Sequence, residues 1–219
     1  GLPSPGFGGA ALPGVWNLAL ERQGTPNPLV GLDGASIGAT VALHAMGDLS
    51  IDIPGTSADV EALYDDFGGG IGDVLATVTF DGLAPGRYEI IVHAWAPEAL
   101  TTVMVGIESQ TWVQTGGDWN GEAPQPGVTY GVLVSDVETT LDLGIVASRW
   151  GSSAAINGVQ LVHRPCLADW DLNGALDIFD VLGFLGSFDE GAPIADLTLD
   201  GAFDIFDVLT YLDLYDQGC

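Results

Sequence analysis

Two twelve-residue stretches near the C-terminus carry oxygen-bearing side chains at the same alternating positions. The first runs from Asp169 to Asp180 and the second from Asp196 to Asp207, so that equivalent positions lie 27 residues apart. The carboxylates of each stretch would repel one another at close range unless a cation lay between them. A hard divalent cation such as Ca²⁺ takes six or more oxygen ligands around one centre. The spacing therefore predicts two calcium sites.

The positions match those of an EF-hand-type calcium loop, in which positions 1, 3, 5, 7, 9 and 12 provide the ligands. Position 7 contributes its backbone carbonyl, and position 6 is a glycine (Gly174 and Gly201) that permits a sharp turn. The predicted ligands of the first site are Asp169, Asp171, Asn173, Ala175, Asp177 and Asp180. The predicted ligands of the second site are Asp196, Thr198, Asp200, Ala202, Asp204 and Asp207. Because Thr198 offers a neutral hydroxyl at position 3, we expect the second site to bind more weakly.

Each loop is followed by a segment with helical spacing of apolar residues. These segments are Ile178–Phe188 and Ile205–Tyr215. Residues three and four apart lie on one face of a helix, and we expect one face of each segment to pack inside the module. The residues of the two faces are Val181, Leu182 and Leu185, and Val208, Leu209 and Leu212.

The two cysteines, Cys166 and Cys219, bracket the repeated region. A disulfide between them would join the two ends of the module, and closing such a loop contributes about 4 kcal/mol in the chain-entropy model. Two free thiols in a reducing compartment are the alternative. The bracketing, the absence of lysine and the predicted calcium loops together favour the disulfide and a secreted, extracellular or cell-surface location.

The loops resemble the repeats of type I dockerins. Position 12 is Asp in both copies, where EF-hand loops usually have Glu, and a helical segment follows each loop but does not precede it. The cysteine pair and the terminal Gly218-Cys219 are similar to the dockerin-type tail of many secreted planctomycete proteins. The resemblance covers about residues 166–219 and implies a calcium-folded module that docks onto a cohesin-like protein partner.

In the dockerin family, loop positions 10 and 11 are important for partner recognition. The corresponding residues here are Ile178, Phe179, Ile205 and Phe206, whereas most dockerins have smaller or more polar residues. Two interpretations stay open: these four side chains contact a more apolar partner, or they are buried within the module.

The bulk composition excludes several classes of function. The chain has 219 residues, 30 acidic and 4 basic, for a net charge of −26, which argues strongly against binding nucleic acid or anionic membranes. With 47% hydrophobic and 16% charged residues, it is too apolar to be a disordered acidic chain. No apolar run is long enough to span a bilayer.

Most of the chain has the pattern of short β-strands separated by turn residues. The predicted strands are Val15–Leu20, Thr40–Met46, Leu49–Ile53, Val74–Phe80, Tyr88–Trp95, Thr102–Glu108, Thr111–Gln114, Val128–Ser135, Thr140–Val146 and Ile156–His163. One interruption, Ser57–Phe67, has helical spacing, with Ser57 as its cap and the run Gly68–Gly70 as its end.

Residues 62–67, 80–88 and 155–161 resemble segments of galactose-binding-like jelly rolls in secreted bacterial proteins. With the strand pattern, this implies a mainly β fold, a jelly-roll β-sandwich, followed by a small α-helical dockerin-like domain. Composition changes at Arg164-Pro165, after which 12 acidic residues and no basic residue follow. The predicted divisions are a Gly/Pro-rich arm (residues 1–14), the β-sandwich (15–164) and the dockerin-like domain (165–219).

The sequence supports no catalytic residue, because it contains no serine-hydrolase, zinc or phosphate-loop motif. We therefore expect a non-catalytic protein that builds or docks into an extracellular or cell-surface assembly, including a filament, through a cohesin-like partner or self-association. The alternative is a carbohydrate-binding module anchored by a dockerin-like tail to a complex that acts on polysaccharide. Its candidate sugar contacts are Trp112, Trp119, Asp118 and Asn120, although tryptophans can equally fill the ends of a sandwich.

Overall fold

The computed structural model describes most of the chain. The described residues are 2–17, 24–44, 47–50, 53, 55–56, 58–69, 76–97, 100–105, 111–147 and 154–219. The predicted cap Ser57 and parts of several predicted strands, including residues 18–20, lie outside them.

The described strands form antiparallel sheets. They are β1 (Asn27–Val30), β2 (Ser36–His44), β3 (Gly47–Ser50), β4 (Asp66–Gly69), β5 (Ala76–Asp81), β6 (Gly86–His93), β7 (Leu100–Val105), β8 (Trp112–Gly116), β9 (Tyr130–Val137), β10 (Thr140–Ala147) and β11 (Gly158–Arg164). One sheet has the order β1-β2-β5-β10-β7-β8, a second has the order β11-β6-β9, and β3 and β4 form a separate two-stranded sheet.

The two larger sheets enclose one apolar core. In β5, alternate residues such as Val78 and Phe80 are buried, as expected for a strand with one solvated face. In β6, the central strand of the three-stranded sheet, nearly every residue is buried. Val78, Ile90 and Leu143 of the two sheets belong to the same buried cluster. The predicted mainly β sandwich is therefore confirmed.

Every predicted strand from Thr40 onward overlaps an observed strand, but the first one is wrong over its described part. Residues 15–17 form no strand, because the Asn17 amide hydrogen-bonds to both the N–H and the C=O of Val30 and so replaces backbone pairing along β1. Strands β1 and β4 were not predicted, since β1 contains Pro28 and β4 contains two glycines, both rare in strands.

The helix predicted over Ser57–Phe67 is shorter than expected. Helix α1 covers Ala58–Tyr64, and the chain enters β4 two residues later. Of the glycines expected to end the helix, Gly68 and Gly69 lie in that strand, and Gly70 lies outside the described residues. Val60, Leu63 and Tyr64 are buried, so the apolar spacing did identify the face that packs.

The C-terminal module contains helix α2 (Ile178–Asp189), a short 3₁₀ helix (Pro193–Ala195) and helix α3 (Ile205–Gln217), close to the predicted segments. The rings of Phe184 and Tyr211 stack with centroids 4.1 Å apart at the centre of its core. The predicted disulfide between Cys166 and Cys219 is confirmed, with Cα atoms 5.4 Å apart. Among the described residues, no helix has the length and apolar character needed to cross a membrane.

The buried faces of α2 and α3 differ from the predicted ones. Val181 and Val208 do pack against the core, but the leucines that follow them point to solvent. The exposed leucines are Leu182, Leu185, Leu209 and Leu212. The inward face is formed instead by aromatic residues, chiefly Phe184 and Tyr211, because large rings bury the most apolar area.

A hydrogen-bonded chain fastens the N-terminal arm to the β-sandwich. The Tyr64 hydroxyl lies 2.6 Å from His93 Nδ1, and His93 Nε2 lies 3.0 Å from Gln160 Oε1. Gln160 in turn donates to Gly8 O (2.8 Å) and accepts from Ala10 N (3.1 Å). These roles fit a neutral imidazole that carries its proton on Nε2. Burial lowers the pKa of His93 to about 4.

We predict that His93 makes the fold sensitive to acid. Below its ordinary pKa of 6.5 the imidazole is protonated in the unfolded chain, whereas in the folded chain it stays neutral down to about pH 4. The unfolded state therefore binds more protons in this window, and the free energy of unfolding falls as pH drops, by up to about 3 kcal/mol. Urea unfolding between pH 7 and 4 measures this loss.

The matched variants are His93→Gln, which removes the buried imidazole, and His163→Gln, which removes a more exposed imidazole of the same sheet. The difference in unfolding free energy between pH 7 and pH 4 should shrink in His93→Gln only. An equal pH dependence in all three proteins contradicts the prediction.

Candidate functional site

The two loops follow the same backbone path. At position 6, Gly174 and Gly201 have φ angles of 83° and 81°, as the turn requires. At position 4, Leu172 and Leu199 have φ angles of 58° and 56°, a conformation strained for leucine. The same strained residue in both copies indicates that contacts within the loops impose this path.

The carboxylate at position 1 organises the first half of each loop. Asp169 accepts hydrogen bonds from the backbone N–H groups of positions 5 and 6, at 3.0 and 2.8 Å. Asp196 accepts the equivalent bonds in the second loop, at 3.2 and 2.8 Å. The chain is thereby folded around the carboxylate that the sequence analysis placed first in the ligand set.

The carboxylate at position 12 closes each loop onto the start of its helix. Asp180 is completely buried and accepts from the N–H groups of Trp170 (2.7 Å), Asp171 (3.3 Å) and Asp177 (2.8 Å). Asp177 is the N-cap of α2, and its side chain accepts from the N–H groups of the first turn. Together with the bond from Asp177 N–H to the Asp180 carboxylate, this forms a capping box. Asp207, also completely buried, takes part in the same arrangement at the start of α3.

The position-12 carboxylates are held in their ionised form. Burial raises the pKa of Asp180, but hydrogen bonds from the backbone of Asp177, Asp171 and Trp170 outweigh it, so that the pKa lies below its ordinary value. For Asp207, burial is likewise outweighed by hydrogen bonds from the backbone of the second loop and the Thr198 hydroxyl. Because residues 166–219 contain no lysine or arginine, a bound cation would supply the missing positive charge.

The first loop has a donor set that fits a hard divalent cation. Asp169, Asp171 and Asp180 each place one carboxylate oxygen within 4.8 Å of the others. Two other predicted ligands have local partners, since Asn173 Oδ1 accepts from Ala175 N and Asp177 Oδ1 accepts from Phe179 N, both at 2.7 Å. Three carboxylate oxygens this close together suit calcium better than softer metals.

The second loop is poorer in carboxylates. Thr198 occupies position 3, and its hydroxyl lies 3.1 Å from Asp207 Oδ1 and 3.4 Å from Asp196 Oδ1. In the described part of the chain, only the first loop brings three carboxylates this close together. The geometry thus agrees with weaker binding at the second position, while calcium at either loop stays a prediction.

The four residues at loop positions 10 and 11 are exposed. Ile178 and Phe179 are 60% and 65% exposed, and Ile205 and Phe206 are 60% and 61% exposed. Burial within the module is therefore wrong for these side chains. Together with the exposed leucines of the same helices they form what we call the apolar face. Its members are Ile178, Phe179, Leu182 and Leu185 of α2, and Ile205, Phe206, Leu209 and Leu212 of α3.

The structure separates the two tryptophans of the predicted sugar contacts. Trp112 lies on the edge strand β8 and is 60% exposed. The Trp119 ring packs against Tyr64 and Trp95, with centroids 4.8 and 5.0 Å away, and its Nε1 donates to Ala123 O. Trp119 therefore helps to fill one end of the sandwich.

The polar residues beside Trp119 are exposed. Asn120 donates to the Glu122 carboxylate at 2.9 Å, within its own loop, and Asp118 is open to solvent.

Sequence reasoning missed the aromatic cluster around His93, which links Phe7, Trp16 and Tyr64. Its members lie far apart along the chain, so no local pattern could have revealed it.

No protein-family model matches the sequence, and no curated protein is similar to it. The dockerin resemblance thus rests only on residues of this chain, namely the two loops with the helical segments that follow them, the cysteine pair and Gly218-Cys219.

The solved structures similar to this one include two carbohydrate-binding modules. A CBM35 module of Cellvibrio japonicus Abf62 has a TM-score of 0.33 and 13% identity, covering 57% of this chain and 92% of its own. TmCBM61, in complex with β-1,4-galactotriose, has a TM-score of 0.33 and 15% identity, covering 58% and 89%.

An exo-β-1,3-galactanase of Phanerochaete chrysosporium has a TM-score of 0.33 and 13% identity, covering 64% of this chain and 29% of its own.

We predict that Asp180→Ala weakens calcium binding more than Thr198→Ala does. Asp180 is a charged, completely buried carboxylate that joins the loop to its helix, whereas Thr198 contributes a neutral hydroxyl. The loss for Asp180→Ala should exceed about tenfold in affinity, the scale of one hydrogen-bonded charged group. Isothermal titration of the full chain with calcium measures both.

Asp189→Ala is the matched control, since it removes an exposed aspartate at the end of α2, outside the loops. It should bind calcium as the unmodified chain does. Equal affinities for Asp180→Ala and Thr198→Ala would count against the ligand assignment.

Proposed function

We propose that this chain is a non-catalytic, secreted, calcium-binding protein whose C-terminal module attaches it to a protein partner. The observation that carries the proposal is the apolar face, which is present in both halves of the module directly after the predicted calcium ligands. Exposed apolar clusters of this kind characterise interaction surfaces, because leaving them in water is unfavourable.

Calcium would act on this surface through the helix starts. Asp177 and Asp204 cap α2 and α3, and each capping box includes the position-12 carboxylate. Ile178 and Ile205 are the first residues of the two helices, so an ion that closes a loop also fixes the start of the apolar face. A module with so small a core gains much of its stability from bound metal.

The remaining features support a secreted, non-catalytic protein. The disulfide between Cys166 and Cys219 is typical of oxidising compartments. The buried pair of Tyr64 and His93 is sequestered under the N-terminal arm and hydrogen-bonded to Gln160, which suits a structural role.

We predict that Phe179→Asp combined with Phe206→Asp abolishes docking. Both halves have to be changed because each carries its own copy of the exposed pair. Charges in a desolvated contact should lower affinity on the order of a hundredfold or more. Titration with a type I cohesin module and sedimentation velocity of the chain alone, both with calcium, measure docking and self-association.

Leu32→Asp is the control, because Leu32 is 53% exposed but lies in the turn between β1 and β2. It should leave docking intact. If the unmodified chain neither binds cohesin nor self-associates, or if the double variant behaves like the control, the docking proposal is overturned.

A second candidate function for the β-sandwich is carbohydrate binding, with the C-terminal module as its anchor. Trp112 and Gln114 are two residues apart on β8, so their side chains point to the same side of the sheet. Gln114 Nε2 donates to Thr102 Oγ1 on the neighbouring strand β7. An exposed indole beside amide and hydroxyl groups offers the apolar surface and hydrogen bonds by which proteins contact sugars.

We predict that Trp112→Ala removes most of any retention by polysaccharide. Affinity electrophoresis through gels that contain xylan or galactan measures retention. Ile37→Ala is the control, since Ile37 is a 52% exposed apolar residue on β2 of the same sheet. Retention that is unchanged in Trp112→Ala would place sugar binding elsewhere, and no retention of the unmodified chain would exclude binding of these polymers.

A further inference from the structure

Two arginines of the β-sandwich reach the C-terminal module at equivalent points. Arg87 on β6 and Arg164 on β11 are direct partners in the antiparallel register of these strands. Arg164 Nη1 donates to the carbonyl of Trp170 at 2.8 Å, and Arg87 Nη1 donates to the carbonyl of Leu197 at 3.1 Å. Trp170 and Leu197 each occupy position 2 of their loop.

In the first loop, one peptide unit joins the arginine to a predicted metal ligand. The carbonyl of Trp170 accepts from Arg164, and the N–H of the same peptide unit, that of Asp171, donates to Asp180 Oδ1 at 3.3 Å. The Asp180 carboxylate also accepts from the N–H of Trp170. The orientation of this peptide therefore depends on where the position-12 carboxylate lies.

The second loop repeats this arrangement. The carbonyl of Leu197 accepts from Arg87, and the N–H of the same peptide unit, that of Thr198, donates to Asp207 Oδ1 at 3.1 Å. In both loops a single peptide thus lies between a β-sandwich arginine on one side and the carboxylate that would hold the ion on the other.

The β-sandwich holds both guanidinium groups in place. Arg87 is 9% exposed, and its Nε and Nη2 pair with both oxygens of Asp136, at 2.8 and 3.0 Å. This hydrogen-bonded pairing lowers the pKa of Asp136, so the pair stays ionised at neutral pH. Arg164 pairs with Glu89 at 3.3 Å, and its guanidinium carbon lies 5.9 Å from the centre of the Trp170 ring. In each arginine, Nη1 is the donor that reaches the loop.

We propose that Arg87 and Arg164 form a clamp that makes the position of the C-terminal module on the β-sandwich depend on ion occupancy. This inference rests on the calcium-binding part of the proposed function. With ions bound, the position-12 carboxylates hold both peptides with their carbonyls toward the arginines. Without ions, repulsion among the carboxylates spreads the loops, the peptides turn, and the clamp opens.

Thermodynamic linkage requires the effect to run in both directions. If ion binding strengthens the clamp, the clamp must strengthen ion binding by the same factor. Removing the arginines should therefore weaken calcium binding although neither arginine contacts the predicted ion site. A purely structural contact between the modules would leave calcium affinity unchanged.

The test uses the full chain and the double variant Arg87→Met with Arg164→Met, in which Met retains the unbranched apolar stem of each side chain. Ala35→Glu and Ser36→Glu together form the control, since they make the net charge more negative by the same amount on an exposed segment far from the clamp in sequence. Calcium titration calorimetry and small-angle X-ray scattering, with calcium and with chelator, are the two measurements.

For the unmodified chain and the control, we expect a smaller radius of gyration in calcium than in chelator. For the double variant, we expect bound calcium without this compaction, and an affinity lower by about fivefold or more, the lower end of typical coupling. If the double variant does not fold, Arg164→Met alone, whose side chain is less buried, takes its place.

The outcomes separate the two proposals. Failure of the unmodified chain to bind calcium overturns the calcium-binding function itself. Calcium binding with unchanged affinity in the arginine variant, or a radius of gyration that does not respond to calcium in the unmodified chain, overturns the clamp and leaves the calcium-binding function standing.

Discussion

The C-terminal module depends on the burial of two carboxylates, Asp180 and Asp207, that the module's own side chains cannot neutralise. Each is surrounded by backbone N–H groups, which keep it ionised, and each belongs at once to a loop and to the cap of a helix. Removing such a group would release the loop path and the helix start together. The same carboxylates link the predicted ion positions to the apolar face on one side and to the arginines of the β-sandwich on the other.

The module was readable from sequence because its determinants are local. Ligand spacing and the glycine at position 6 lie within twelve residues, and the structure has the expected glycine conformation and helices. The capping by Asp177 and Asp204 was not predicted, although both residues lie within the same twelve-residue stretches. The outward direction of Leu182 and Leu209 was not readable. In each helix, the apolar spacing is compatible with more than one buried face. The face that is buried is the one that carries Phe184 or Tyr211, whose rings stack in the core of the module.

The β-sandwich was predictable as a pattern but not as a set of contacts. Alternation located every described strand from Thr40 onward except β4, which contains two glycines, and it missed edge strand β1, which contains Pro28. The roles of Arg87 and Arg164 were equally hidden. The two arginines are 77 positions apart in the chain, and the register of β6 with β11 brings them side by side.

The positions of the tryptophans have a practical consequence for spectroscopy. Trp170 sits beside the Arg164 guanidinium and against Phe184 in the C-terminal module, whereas Trp95 and Trp119 pack together at one end of the sandwich. Indole emission depends on nearby charge and on contact with water, so each half of the protein contains its own intrinsic fluorophore. Replacing one group of indoles by phenylalanine would let the unfolding of either half be followed optically without attaching a dye.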